Sequence, residues 1–69
     1  MPLDLVNIYT YHAPKNDQPE RYEDLRAIAR SFAEAIERLT PASREQSLAF
    51  TNLEQAVFWA NAAIARNEK

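Results

Sequence analysis

"EQAVFWANAAIARN", residues 54–67, decides the fold. Between Ala56 and Ala65 it holds nine hydrophobic residues and a single Asn, Asn61. It reads as a helix with almost no water-facing side. Followed back to Arg44, the same helix carries two apolar seams. Phe50, Leu53, Val57, Ala60 and Ile64 make one; Ala49, Ala56, Trp59 and Ala63 make the other. A helix apolar on more than one side is a buried helix, and one partner helix covers only one of these seams. The small residues Ala56, Ala60, Ala62, Ala63 and Ala65 let other helices come close. The expected cover is further copies of the same chain, with Ala56, Trp59, Asn61 and Ala63 at the contact. Asn61 there would fix register by hydrogen bonding across the interface, as a buried Asn does in coiled coils.

Upstream, "LTPASRE" breaks the chain. Thr40 precedes Pro41 and is biased out of the helical region. Thr40 and Ser43 are both good caps, and Ser43 with Gln46 has capping-box spacing. The second helix is expected over about residues 42–66, with Arg66 suited to its negative end and Asn67 as its C-cap. Before the break, Tyr22, Leu25, Ala29, Phe32, Ile36 and Leu39 repeat at helical spacing and form one apolar stripe. Asp17, Pro19 and Glu20 mark the start of this first helix, expected over about residues 18–39. Glu34 and Arg38 stand in the favourable i,i+4 order. The short connection makes the helices antiparallel neighbours. Residues 1–16 read as an extended arm: Leu3/Leu5 and Val6/Ile8 alternate, and Pro14 keeps Ala13 out of the helical region. The fold class is therefore all-α: an arm (1–16) and an antiparallel helical hairpin (17–69) that assembles into a symmetric homo-oligomer.

Composition narrows the function. With 69 residues the chain builds one small domain, and such cores need a staple or a partner. There is no Cys and one His, which leaves no disulfide and no soft-ligand metal set. The net charge of −2 argues against a general DNA or RNA binder. The absence of Gly rules out phosphate loops of the GxGxxG or Walker type. No charged start precedes an apolar run, so no signal peptide is expected. The opening apolar stretch is about half the ~20 residues of a membrane span.

Enzymatic chemistry finds little support. Ser31, Ser43 and Ser47 have no evident base, and Glu20/Glu23 read as a solvated helix surface. "YTYHAPKNDQPERYEDLR", residues 9–26, is more informative. It interleaves Tyr9, Tyr11, His12 and Tyr22 with Lys15, Arg21 and Arg26. Aromatic faces stack on nucleobases, and guanidinium forks suit phosphate. Spacing alone equally describes an arm that packs its tyrosines on the hairpin and solvates its charges, and that simpler reading carries more weight. Arg44, near the start of the second helix, either holds an anion with the free N–H groups there or pairs with Glu45 or Glu37. Thr51 and Asn52 either line a polar site between symmetry-related helices or form an exposed strip.

"YHAPKNDQPERYEDLR" followed by "SREQSLAFTNLEQAVFWANAAIARN" resembles the helical-hairpin domain of the bacteriophage anti-CBASS and anti-Thoeris sponges, over about residues 9–67. The resemblance implies a protein that sequesters, without degrading, cyclic dinucleotides, cyclic trinucleotides or cyclic ADP-ribose isomers made by host immune enzymes. It also implies dimers assembling into a hexamer, with pockets between protomers, working in the cytoplasm of the infected bacterial host without cofactor or membrane. By motif position, Tyr11 resembles the base-stacking aromatic, and Arg21, Arg26 and Arg44 the phosphate ligands. His12 and Lys15 join them from the same cluster, and Thr51 and Asn52 belong to a three-fold pocket. This sequence departs from the pattern at three places. It has no room for the extra N-terminal β domain of anti-Thoeris relatives; Asn52 stands where a basic residue is expected; and Phe58 replaces Met. The alternatives are a structural or adaptor hairpin that oligomerises and docks a protein partner, and an enzyme that cleaves the signal.

Overall fold

The computed structural model describes residues 3–68, and over them the chain is helical with no strand. Three helices follow in order: α1 (Leu5–Tyr9), α2 (Gln18–Leu39) and α3 (Arg44–Asn67). The last two run antiparallel as a hairpin. Its open end joins Arg21 to Glu68, and its closed end is the turn at Thr40–Ser43.

The expected extended arm is corrected over Leu5–Tyr9. Asp4 stands outside this helix in an extended conformation and its carboxylate accepts from the Asn7 N–H at 3.1 Å. The cap satisfies a free donor of the first turn, and the Thr10 hydroxyl closes the other end on the Val6 carbonyl. These local bonds outweigh the strand preference of Val6, Ile8 and Tyr9. Met1 and Pro2 of the arm lie outside the described residues. From Thr10 to Lys15 the chain has no regular structure. It turns into α2 through Asn16, whose φ of 54° is the one left-handed value among the described residues. Asn tolerates that region better than other side chains, in a chain with no Gly to offer.

Capping differs in detail from expectation. Asp17 occupies the N-cap of α2 but makes no capping bond; its carboxylate turns to Arg21, 3.3 Å away. At α3 the Ser43 hydroxyl accepts from the Gln46 N–H at 3.1 Å, so of the two expected caps Ser43 is the one used, and the helix begins at Arg44. The Gln46 side chain reaches back to the Thr40 carbonyl and hydroxyl at 3.2 and 3.1 Å, stapling the turn. Glu34 pairs with Arg30 at 3.8 Å instead of with Arg38. Asn67 is the last helical residue, not the cap beyond it, and its amide donates to the Ala63 carbonyl at 3.2 Å.

The hairpin packs through the first seam of α3. Phe50, Leu53, Val57, Ala60 and Ile64 are all half-buried, as are Tyr22, Leu25, Ala29 and Ile36 of α2. Phe32 and Leu39 of the α2 stripe stay exposed, and on the second seam of α3 so do Ala56, Trp59 and Ala63. No hydrophobic side chain among the described residues is fully buried; the buried residue is polar, Gln18, at 3% exposure. The radius of gyration is 15.0 Å, against about 11 Å for a compact chain of this length. The accessible surface is 5844 Å², against roughly 4400 Å² for a compact monomer of this size. The hairpin alone thus leaves an excess of apolar surface open to water.

Candidate functional site

At the open end, three segments enclose a groove of about 450 Å³. The stretch after α1 supplies Tyr11 and His12, α2 supplies Tyr22 and Arg26, and α3 supplies Phe58, Asn61, Ala62, Ala65 and Arg66. Helical spacing accounts for the set. Tyr22 and Arg26 are four apart on one face of α2, and Asn61, Ala62, Ala65 and Arg66 recur at i, i+1, i+4 and i+5 on α3. The two alanines leave the space that larger side chains would fill.

The arm is fastened by polar bonds. The Asn7 amide donates to the Arg66 carbonyl at 2.9 Å, and His12 Nε2 lies 2.8 Å from the Asn7 carbonyl oxygen. That oxygen only accepts, so Nε2 carries the hydrogen. Tyr11 is 83% exposed, its ring free for a stacking partner. Arg26 and Arg66 line the same space and no Asp or Glu does, so the groove has a local positive balance on an acidic chain. Asn61 Oδ1 is closed off from solvent and has no hydrogen-bond partner among the described residues. A buried acceptor in that state costs about 1–3 kcal/mol, so the amide is the polar group in this groove most in need of a partner.

Of the expected ligand residues, the structure brings Tyr11, His12 and Arg26 together. Arg21 faces elsewhere: Nη1 donates to Glu68 Oε2 at 2.6 Å, Nη2 donates to Glu68 Oε1, and Nε lies 3.3 Å from Asp17 Oδ2. The hydrogen bond to Glu68 is the main cause that raises the Arg21 pKa above its ordinary value. Its counterpart, helped by Gln18, lowers the Glu68 carboxyl to about 2. Lys15 takes part through its backbone N–H, which donates to Gln18 Oε1 at 3.1 Å. Arg44, Thr51 and Asn52 sit seven and eight apart, on one exposed side of α3 away from the groove. Asn52 donates to the Leu48 carbonyl at 2.7 Å and borders a second cleft at the turn end.

That second cleft is larger, about 780 Å³, but its walls are chiefly Phe32, Ile36, Pro41, Ala49 and Leu53, with no cationic side chain. It offers an anion no cationic side chain, and the smaller groove carries the cationic and aromatic residues together. Sequence reasoning placed Arg66 at a helix end and so missed it as a groove residue; it placed Asn61 at an interface, with a direct ligand contact as the alternative. Their i,i+5 spacing around Ala62 and Ala65 was the available signal. Among the described residues, no group of three or more His, Asp or Glu side chains could hold a metal ion, and no helix is long and apolar enough to cross a membrane.

A family model described as Acb2/Tad1, hairpin domain, matches residues 1–65. No curated protein and no solved structure gives a significant match.

Proposed function

The chain belongs to the Acb2/Tad1 hairpin-domain family, known for cyclic-nucleotide sponges, and on that premise we propose that it binds and sequesters cyclic oligonucleotide immune signals without turning them over. The ligands are cyclic dinucleotides, cyclic trinucleotides or both, and the consequence is that a CBASS-type or Thoeris-type defence effector in the infected host cytoplasm stays off.

The observation that carries this reading is that an exposed Tyr11, Arg26 and Arg66 line one groove. A base stacked on an aromatic ring gains about 1–3 kcal/mol, while forked guanidinium donors hold phosphate. A cyclic dinucleotide carries two bases and two phosphates in a rigid ring, so two copies of this groove around a two-fold axis match its pseudo-symmetry. A rigid ligand loses little freedom on capture. Arg44, Thr51 and Asn52 share a side of α3 and are assigned to a second site, formed where copies meet around a three-fold axis. The uncovered Trp59 seam and the excess accessible surface support assembly into a homo-oligomer, a hexamer by analogy with the family.

Isothermal titration against a panel of cyclic di- and trinucleotides tests the reading. Binding, followed by recovery of intact nucleotide after denaturation, is the expected result. Absence of heat with every member, from an oligomeric sample, would sink it in favour of an adaptor hairpin that docks a protein.

A further inference from the structure

Each wall of the groove ends next to one polar junction. Lys15 follows His12 by three residues, Arg21 directly precedes Tyr22, and Glu68 follows Arg66 by two. The junction binds all three segments to one another. The Lys15 N–H donates to Gln18 Oε1 at 3.1 Å, Gln18 Nε2 donates to Glu68 Oε1 at 3.1 Å, and Arg21 grips both Glu68 oxygens. Its centre, Gln18, is the buried residue of a hairpin that fully buries no hydrophobic side chain among the described residues. Where no apolar core sets the distance between segments, directional bonds do, and a bidentate guanidinium–carboxylate pair fixes both distance and angle.

We propose that Gln18, Arg21 and Glu68 form a latch that sets the width of the ligand groove, so that Arg21 is a positioning residue acting through Glu68 and not a phosphate contact. This rests on the groove being the nucleotide site. Arg21 Nη1 and Nη2 both donate to Glu68, and Nε, 3.3 Å from Asp17 Oδ2, is closed off from solvent without a hydrogen bond of its own. With Lys15, whose charge also acts on Glu68, two cations face two carboxylates, so the junction is neutral and leaves Arg21 no uncommitted charge for a phosphate. Opening the latch frees the end of α3 from the start of α2, and with them the chain that carries Tyr11 and His12.

Glu68→Ala gives the two assignments opposite signs. If Arg21 touched phosphate, removing Glu68 would release its guanidinium and tighten binding. As a latch, the variant binds cyclic di-AMP roughly ten-fold more weakly, the scale of losing one or two charge-assisted bonds. Glu68→Gln, which keeps the shape and the bond from Gln18, falls between. Amide hydrogen exchange reads the same device without ligand: in Glu68→Ala the Lys15 amide, which donates to Gln18, exchanges faster, while those in the middle of α2 and α3 keep their protection. Unchanged exchange of the Lys15 amide, or equal or tighter binding by Glu68→Ala, overturns the latch and leaves the sponge reading standing. Wild-type protein that takes up no cyclic nucleotide, yet shows the exchange change, defeats the sponge reading and retains the latch as a fastener of the arm.

Discussion

Asn7 donates its side-chain amide to the Arg66 carbonyl oxygen at 2.9 Å, across 59 positions of sequence. This bond ties the short helix α1 to the far end of α3 and brings Tyr11 and His12 over Arg66. Asn7→Ala removes it and leaves both long helices intact. A bond of this kind contributes about 1 kcal/mol, so binding of a cyclic dinucleotide should weaken about five-fold. Circular dichroism should show the hairpin's helix content unchanged.

Tyr11 is 83% exposed and packs on little of its own chain. Tyr11→Ala should therefore keep the thermal midpoint, as exposed substitutions generally stay within about 0.5 kcal/mol. It should cost about 1–3 kcal/mol of nucleotide affinity through lost stacking. Titration beside a thermal melt separates the two effects; a lowered midpoint with unchanged affinity would assign the ring to arm packing.

Trp59 is 59% exposed and meets Phe58 edge-on, with ring centroids 5.1 Å apart. In a lone hairpin its loss would be nearly silent. As an interface anchor its truncation costs about 2 kcal/mol or more. Sedimentation of Trp59→Ala should show the assembly dissociating at concentrations where the wild type holds together.

Asn61 holds a closed-off, unpaired carbonyl. Replacing such a group by an apolar one of similar shape is nearly neutral or stabilising, so Asn61→Leu should melt no lower than the wild type. Its cyclic dinucleotide affinity should fall because the groove loses its amide. If oligomer mass falls instead, the amide belongs to the contact between copies.

The carboxyl of Glu68 is lowered from an ordinary 4.5 to about 2, first by Arg21 and then by Gln18. Its folded pKa lies below its unfolded one, so its stabilisation is present above about 4.5 and is lost as pH falls towards 2. Glu68→Gln should flatten that part of the stability profile. Chemical denaturation at a series of pH values between 5 and 2 checks this, with equal slopes for wild type and variant counting against it.

The two long helices were legible because their signals are local. The stripe of α2 and the first seam of α3 follow from 3.6-residue periodicity, and Ser43 with Gln46 is a capping pattern over four positions. The groove was half legible. Tyr11, His12 and Arg26 stood out as an aromatic–basic cluster close in sequence, whereas Arg66 and Asn61 join them only because the hairpin returns α3 to the start of α2. Arg21 looked like a phosphate ligand by composition. Its partner Glu68 stands 47 positions away, and no local pattern announces that pair.

By itself the sequence determined an all-helical hairpin and a helix too apolar for one partner, since periodicity and side-chain hydrophobicity are properties of neighbours along the chain. Only the tertiary structure decided that α1 is docked on α3, that Arg21 is committed to Glu68, and which face of α3 meets the arm. Those outcomes depend on directional hydrogen bonds and ion pairs between segments tens of residues apart, made only once the hairpin has closed.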